Sequence, residues 1–213
     1  SGKTDDLELL IHHILKNHKY EKIMLIGFSL GGNITLKFLG EQGTDINSKI
    51  KGAVAISVPV DLKDSAAQLA KKSNAIYMKR FVKMLKPKLL EKSKRFPEQA
   101  PDKENILLIK DFYDFDELYT APAHGFKNAE DYWEKCSSKP VLPAIAIPTL
   151  LINAKNDPFL GPLSYPKKEA ENSKWFYLET PNYGGHVGFA SHFKMDGQLW
   201  DEKQAMLFLK PVL

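Results

Sequence analysis

The sequence predicts an α/β protein with a mostly parallel sheet, flanking helices and one inserted helical segment. Four short apolar runs have the length of strands: residues 22–27, 51–58, 148–154 and 174–179. Three segments repeat apolar residues at helical spacing: residues 4–18, 29–42 and 199–210. Strands that alternate with helices are typical of a parallel sheet whose faces are covered by helices.

The chain opens with a helix, a strand and a second helix. Apolar residues recur at intervals of three and four from Leu7 onward, which predicts a helix over residues 4–18. The run KIMLIG at residues 22–27 ends in glycine and indicates a buried strand. Helical spacing resumes at residues 29–42, directly after this strand.

The later elements repeat the same pattern. KGAVAISV at residues 51–58 is a second apolar run, and Pro59 ends it because proline cannot donate to the hydrogen-bond ladder of a sheet. PTLLINA at residues 148–154 and KWFYLE at residues 174–179 repeat the strand signal. An amphipathic stretch at residues 199–210 predicts a closing helix. A chain of 213 residues predicts a single domain, 1–213.

Residues 61–145 interrupt the alternation with a long helical segment. Its first part, residues 61–103, holds twelve Lys and Arg against five Asp and Glu. An apolar stripe with a period of four residues consists of Tyr77, Phe81, Leu85 and Leu89. An insertion of this kind in an α/β domain is typical of a cap over the functional site. Its basic residues predict either a solvated face or peripheral contact with an anionic membrane surface.

Composition limits the classes of function. The net charge of +4 is too small to indicate a nucleic-acid partner, so we expect none. No apolar run reaches the roughly 18 residues that a membrane-spanning helix needs. The only cysteine, Cys136, cannot form an intramolecular disulfide, which favours a reducing compartment, and we expect a cytoplasmic protein. Composition leaves the oligomeric state open.

The sequence GFSLG at residues 27–31 lies between the first strand and the second helix. At such a junction, Gly-x-Ser-x-Gly is typical of a sharp turn that exposes a serine at the top of a sheet. We expect crowding around Ser29 to exclude side chains at Gly27 and Gly31. The N–H of Leu30 is the expected donor to a developing oxyanion. Ser29 is therefore the predicted nucleophile.

A nucleophilic serine needs a base, and the base needs an acid that orients it. Asp157 follows the strand at residues 148–154, and His186 follows the strand at residues 174–179. The chain order Ser, Asp, His and the position past a strand's carboxyl end are both typical of hydrolases with this sheet type. Gly184 and Gly185 are expected to form the tight turn that lets the imidazole reach the serine.

Other polar residues leave alternatives open. Asp61 follows the second strand and rivals Asp157 as the orienting acid. His124, in APAHGF, is a candidate pocket residue in the insertion. The remaining histidines are expected to be structural or at the surface: His12, His13, His18 and His192. The acidic cluster is expected to cap a helix or to pack in a turn rather than bind a metal, because it lacks histidine and regular ligand spacing: Asp111, Asp114, Asp116 and Glu117.

Four stretches of the chain resemble the α/β-hydrolase superfamily, and in particular its YheT-like branch, which is related to the animal ABHD-type esterases. They are SGKTDDL, GFSLGGN, FDELYTAPAHGFKNAEDYW, and PTLLINAKNDPF followed by GGHVGF. The resemblance implies an α/β-hydrolase fold with Ser29 as nucleophile, Asp157 as acid and His186 as base. It implies hydrolysis of small-molecule carboxylic esters with short- to medium-chain acyl groups, with no metal and no organic cofactor. Phe28, beside the serine, is a further candidate pocket residue.

The resemblance also implies segments that this sequence does not contain. Members of the branch carry further N-terminal strands and a loop that supplies a second oxyanion donor, so we expect this chain to be truncated at its N-terminus. Two alternatives to an esterase stay open. One is a non-catalytic scaffold or binding protein with the same fold, and the other is an acyltransferase that uses the same three residues.

Overall fold

The computed structural model describes residues 3–189 and 199–212. The strands are β1 (Ile23–Phe28), β2 (Ile50–Ile56), β3 (Thr149–Ile152) and β4 (Phe176–Glu179). The helices are α1 (Asp5–Asn17), α2 (Leu30–Gln42), α3 (Leu62–Leu69), α4 (Ala75–Arg95), α5 (Lys103–Leu108), α6 (Phe112–Phe115), α7 (Ala121–Ala123), α8 (Ala129–Cys136), α9 (Lys167–Glu171) and α10 (Trp200–Leu209), with a π-helical turn at Asp116–Thr120. Within these described ranges, no helix is long and apolar enough to cross a membrane.

The four strands form one parallel sheet in the order β1-β2-β3-β4. Phe28 pairs with Ile56, and Ile56 pairs with Ile152. The carboxyl ends of these strands therefore lie side by side, and the residues that come after them meet at one edge of the sheet. The predicted α/β fold class with a mostly parallel sheet is confirmed.

Helices cover both faces of the sheet. On one face, Ala55 of β2 shares a buried cluster with Leu36 of α2. On the other, Ile56 of β2 shares a buried cluster with Leu209 of α10. Successive side chains of a strand point to opposite faces, so β2 contributes to both apolar layers. This is why its sequence is a continuous apolar run rather than an alternating one.

The first strand is less buried than its apolar sequence predicts. Ile26 of β1 is 57% exposed, whereas all four residues of β3 are buried. In the part of the chain that the structure describes, β1 pairs only with β2, so its other edge is open. Both runs therefore form strands as predicted, but the expected burial holds for β3 and only in part for β1.

The helical segment between β2 and β3 leaves and rejoins the sheet at nearly the same place. The N–H of Lys139 donates to the carbonyl of Val60 at 3.0 Å. The buried side chain of Asn33, on α2, donates to the Cys136 carbonyl at 2.8 Å and accepts from the Ser138 N–H at 2.9 Å. Both ends of the insertion are thus fastened to the core of the sheet domain.

The acidic cluster of the insertion fixes the ends of helices. Asp111 caps the start of α6 with its side chain. Asp116 accepts a hydrogen bond from Trp133 Nε1 at 2.8 Å, and burial raises the pKa of this carboxyl. Glu117 accepts from the N–H of Ala129, at the start of α8, at 2.7 Å. Residues 3–189 and 199–212 contain no group of three His, Cys, Asp or Glu side chains that could hold a metal.

Candidate active site

Ser29 lies in a strained turn between β1 and α2. Its φ of +51° with ψ of −122° is a conformation that non-glycine residues seldom adopt. Its N–H donates to the Ile56 carbonyl at 2.8 Å, and its carbonyl accepts from the Asn33 N–H at 3.1 Å, so the backbone is fixed on both sides. The Ser29 side chain makes no capping bond to α2. The hydroxyl is therefore free to meet a partner from elsewhere in the chain.

Crowding requires one of the two glycines in the motif but not the other. A Cβ atom on Gly27 would lie 2.7 Å from the Gly31 carbonyl oxygen and 2.7 Å from Gly32 Cα. A Cβ atom on Gly31 would meet nothing within 4 Å, so the prediction that crowding excludes a side chain there is wrong. The second crowded position is Gly32, where a Cβ atom would overlap the Val58 side chain. The close approach of α2 to the turn that follows β2 occurs at Gly32, one residue later than expected.

His186 links Ser29 to Asp157 through two hydrogen bonds. Its Nε2 lies 3.0 Å from Ser29 Oγ, and its Nδ1 lies 2.8 Å from Asp157 Oδ2. The Asp157 carboxylate is fully buried, and the imidazole is mostly buried. This geometry allows a carboxylate to orient an imidazole while the imidazole accepts a proton from a serine. The structure brings together the three residues that the sequence predicted to be partners.

The acid loop, residues 153–160, holds the Asp157 carboxylate in place. Its Oδ1 accepts from the N–H of Phe159 at 2.9 Å, and the Asp157 N–H donates to the Ala154 carbonyl at 3.1 Å. The same carbonyl accepts from the Tyr165 hydroxyl at 2.7 Å. Burial, together with the nearby Asp157 charge, raises the pKa of Tyr165 to about 12, so this hydroxyl keeps its proton and continues to donate.

The histidine loop, residues 180–189, depends on two adjacent glycines. Gly185 has a φ of +63°, and its N–H donates to Asn156 Oδ1 at 2.9 Å, which ties this loop to the acid loop. A Cβ atom on Gly184 would lie 2.5 Å from the ring of Phe189. The tight turn expected before His186 is therefore present. It requires Gly185 for the positive φ and Gly184 for lack of space.

Aromatic side chains surround the imidazole. The ring of Phe159 packs on His186 with centroids 4.4 Å apart, and Phe28 meets it edge-on at 5.9 Å. The Phe159 ring also contacts two rings of α4, Tyr77 and Phe81, at centroid distances of 4.9 Å and 5.7 Å. Sequence reasoning missed Phe159, although it stands two residues after the predicted acid. It connects the apolar stripe of the insertion to the histidine.

The approach to Ser29 is lined by exposed apolar side chains. Phe28 and Leu30 flank the serine and are 38% and 37% exposed, and Val187 beside the histidine is exposed as well. Leu30 is the first residue of α2, so its N–H has no partner within the helix. Two surface cavities of about 650 and 580 Å³ lie elsewhere: in the described residues, Ser29 does not line either of them.

The other predicted residues lie apart from this arrangement. Asp61 caps the start of α3, where its Oδ1 accepts from the Asp64 N–H at 3.0 Å, so Asp157 rather than Asp61 reaches the histidine. His124 follows α7 and is exposed as a whole residue, but partial desolvation of its ring, helped by the nearby charges of Lys3 and Lys92, lowers its pKa. A pocket role for His124 stays a prediction. His12, His13 and His18 are exposed, and His192 lies outside the described residues.

Comparison with known proteins places the chain among hydrolases. Over 96% of its length it is 31% identical to YheT of Escherichia coli (strain K12), and the match covers 59% of that protein. Over 98% of its length it is 30% identical to the monoacylglycerol lipase of Saccharomyces cerevisiae (strain ATCC 204508 / S288c), of which it covers 47%. The chain thus spans about half the length of the curated relatives it matches.

A solved structure agrees at the level of the fold. The Pyrococcus furiosus esterase PF2001 superposes with a TM-score of 0.56 at 18% identity, over all of this chain and 62% of that one. Residues 2–193 match the family model described as alpha/beta hydrolase fold. Because that match spans most of the chain, and because the parallel sheet and the turn at Ser29 agree with it, the protein belongs to the α/β-hydrolase superfamily.

Proposed function

We propose that this protein is a serine hydrolase that cleaves carboxylic esters through an acyl-enzyme. The observation that carries the proposal is the position of His186, with Nε2 3.0 Å from Ser29 Oγ and Nδ1 2.8 Å from the buried Asp157 carboxylate. The chain is related to esterases and lipases, which supports an ester as the substrate.

In the proposed reaction, Ser29 Oγ attacks the ester carbonyl while His186 Nε2 takes its proton. Asp157 holds the Nδ1 proton, fixes the imidazole tautomer and stabilises the imidazolium. The Leu30 N–H, at the N-terminus of α2, donates to the oxyanion. His186 then returns the proton to the leaving alcohol. A water molecule, activated by the same imidazole, attacks the acyl group and regenerates the serine.

The surroundings of the serine favour an acyl chain over a polar substrate. Phe28 and Leu30, directly before and after the serine in the chain, are partly exposed apolar residues, and Phe159 adds an aromatic ring beside the histidine. Such side chains gain free energy by covering methylene groups. We infer short- to medium-chain acyl esters as the substrates, and the name of the yeast relative makes a monoacylglycerol a useful probe.

The test is active-site labelling of the full-length protein with a fluorophosphonate, together with hydrolysis of p-nitrophenyl acetate, butyrate, octanoate and palmitate. We expect the wild type to be labelled and to prefer the butyrate or octanoate ester, and we expect Ser29→Ala to lose labelling. Equal labelling of wild type and Ser29→Ala, or no labelling of wild type, would refute the assignment.

The same experiment separates the alternatives. A non-catalytic scaffold of this fold would leave both the probe and the esters unchanged. An acyltransferase would transfer the acyl group to added ethanol or glycerol in preference to water. Product analysis by mass spectrometry distinguishes that outcome from the free acid expected of an esterase.

A further inference from the structure

Helix α4 has two faces with different surroundings. Its inner face packs on the protein: Tyr77 and Phe81 contact the acid loop through Phe159, and Met78 and Leu89 are buried. This inner face accounts for the apolar stripe seen in the sequence. The opposite face is exposed, and its composition is unusual for a surface that is only solvated.

The outer face combines cations with large exposed apolar side chains. Ile76, Arg80, Lys83 and Pro87 follow one another at intervals of four, three and four residues, so they lie on the same side of the helix. Ile76 is 81% exposed, and Met84, one residue after Lys83, is 52% exposed. Singly exposed apolar residues are common, but here they alternate with cations along one helix face.

The neighbouring helix α5 also carries exposed apolar side chains. Lys86 Nζ donates to the Leu107 carbonyl at 2.7 Å, which holds α5 alongside α4. Leu107 and Leu108 of α5 are both exposed, the latter by 67%. We call the combined surface of α4 and α5 the basic-apolar face; its apolar members are Ile76, Met84, Leu107 and Leu108.

The charges of α4 are almost all of one sign. Between Ala75 and Arg95 the helix carries eight Lys and Arg and one acidic residue, Glu91, which pairs with Arg95 at 3.6 Å. The exposed cations are Lys79, Arg80, Lys83, Lys88, Lys94 and Arg95. Of these, only Arg95 has a hydrogen-bond or ion-pair partner among the described residues. The charges of the other five, Arg80, Lys83 and Lys94 among them, are therefore available to an external anion.

We propose that the basic-apolar face docks the protein on an anionic lipid bilayer surface. Cations attract the phosphate and carboxylate head groups, and the exposed Ile76, Met84 and Leu108 insert below them into the acyl boundary. A nucleic acid would also satisfy the cations, but its phosphate backbone offers no apolar layer to cover three large aliphatic side chains. The interleaving of both kinds of side chain therefore favours lipid.

Docking through this face would bring the bilayer close to the proposed catalytic residues. The outer and inner faces belong to one helix, and the inner face reaches His186 through Phe159. Esters dissolved in the bilayer would thus be concentrated near Ser29. The binding step itself does not depend on Ser29 as a nucleophile, so Ser29→Ala protein should bind vesicles as wild type does.

The test is co-sedimentation of the full-length protein with vesicles of phosphatidylcholine alone and of phosphatidylcholine with phosphatidylglycerol. We expect binding to the mixed vesicles only. Binding should weaken as the salt concentration rises, because salt screens the attraction between the cations and the lipid head groups. The variant Arg80→Glu/Lys83→Glu should lose roughly 100-fold or more in partition coefficient, because each reversal removes one attraction and adds one repulsion. The matched control, Lys167→Glu/Lys168→Glu on α9, reverses two exposed lysines elsewhere and should bind as wild type.

A second variant tests the apolar part of the face. Ile76→Gln/Met84→Gln keeps every charge but replaces apolar side chains by polar ones. We expect binding to weaken by roughly tenfold or more, because less apolar surface is removed from water when the protein binds the bilayer. Hydrolysis of water-soluble p-nitrophenyl acetate should stay at the wild-type level in all of these variants, which controls for folding.

Three results would overturn the proposal. One is failure of the wild-type protein to bind anionic vesicles. Another is an equal loss of binding in the α4 and α9 reversals, which would indicate a non-specific effect of net charge. The third is tighter binding of wild type to RNA or DNA than to vesicles, with loss in the α4 variant, because the cations would then serve a nucleic acid.

Discussion

Two serines end neighbouring strands of the sheet, and only one of them is connected to a base. Ser29 comes after β1 and Ser57 after β2, with φ values of +51° and +55°. Ser29 Oγ lies 3.0 Å from His186 Nε2. Ser57 Oγ is buried and has no hydrogen-bond partner within the described residues. The two turns share their residue type, their position at the sheet edge and their backbone strain.

The two turns differ in the course of the chain after each serine. Helix α2 begins directly after Ser29 and leaves its hydroxyl uncapped. After Ser57 no helix begins until Leu62, and Val58 exchanges hydrogen bonds of 2.7 and 3.0 Å with the side chain of Asn153. A positive φ costs on the order of 1–3 kcal/mol in either turn. Backbone strain at a strand end therefore does not distinguish a nucleophile from other serines. What distinguishes Ser29 is that its hydroxyl is accessible and is hydrogen-bonded to a base.

The sharpest way to test this contrast is to remove each hydroxyl in turn. We expect Ser29→Ala to lower kcat for p-nitrophenyl butyrate by roughly 10⁶-fold, because the nucleophile is lost. Steady-state kinetics on purified protein measures the effect.

Ser57→Ala is the matched control. It removes a buried hydroxyl that has no partner among the described residues, so we expect activity near that of wild type and a free energy of unfolding that is equal or slightly higher. Comparable losses of kcat in the two variants would contradict the distinction between the turns.

The next largest effect should come from the acid that orients the base. Asp157→Asn keeps the size of the side chain but can stabilise the wrong imidazole tautomer, and we expect kcat to fall by roughly 10⁴-fold. Asp61→Asn is the comparison, because asparagine caps helices as well as aspartate does and should leave kcat unchanged. A larger loss in Asp61→Asn would reverse the assignment of the acid.

A smaller effect is expected from the ring that packs on the imidazole. Phe159→Ala removes the 4.4 Å contact with His186 and leaves the imidazole less well oriented. We expect kcat to fall by roughly 10- to 100-fold with little change in KM. Phe112→Ala is matched in chemistry, since Phe112 contacts Phe81 but makes no ring contact with the histidine. If kcat falls by the same factor in both variants, Phe159 contributes only to packing and does not orient His186.

The smallest expected effect concerns the glycines near Ser29, and it is read in stability. Gly27→Ala should reduce the free energy of unfolding by about 1–3 kcal/mol, because the new methyl group would press on the backbone of α2. Gly31→Ala should be neutral or stabilise by up to about 1 kcal/mol, because its site is open and alanine favours a helix. Urea denaturation of both variants checks this order.

Sequence patterns were sufficient for the four strands, for the helices α1, α2 and α10, and for the partners of the proposed nucleophile. Strand and helix positions are local properties, since apolar periodicity is set by the element itself. The chain order of Ser29, Asp157 and His186 was informative because parallel strands end at a common edge. Asp157 and His186 follow later strands of the same parallel sheet, so they come to the edge at which Ser29 lies.

The features that the sequence could not provide depend on contacts between distant segments. The crowded Gly32 faces Val58, which belongs to the turn after another strand, so the motif alone pointed to Gly31 instead. The exposure of Ile26 depends on which strands pair with β1, and no apolar run encodes its neighbours. Phe159 matters through α4, whose docking on the acid loop no local pattern specifies.

The insertion begins and ends on adjacent residues of the core, joined by the Lys139 to Val60 hydrogen bond and by the two bonds of Asn33. The sheet therefore does not depend on the length of the intervening chain. Closing a longer loop costs only about 0.6 kcal/mol for each doubling of its length. We expect that the helices of the insertion can be exchanged as a module, while the strands and the Ser29 turn keep their geometry.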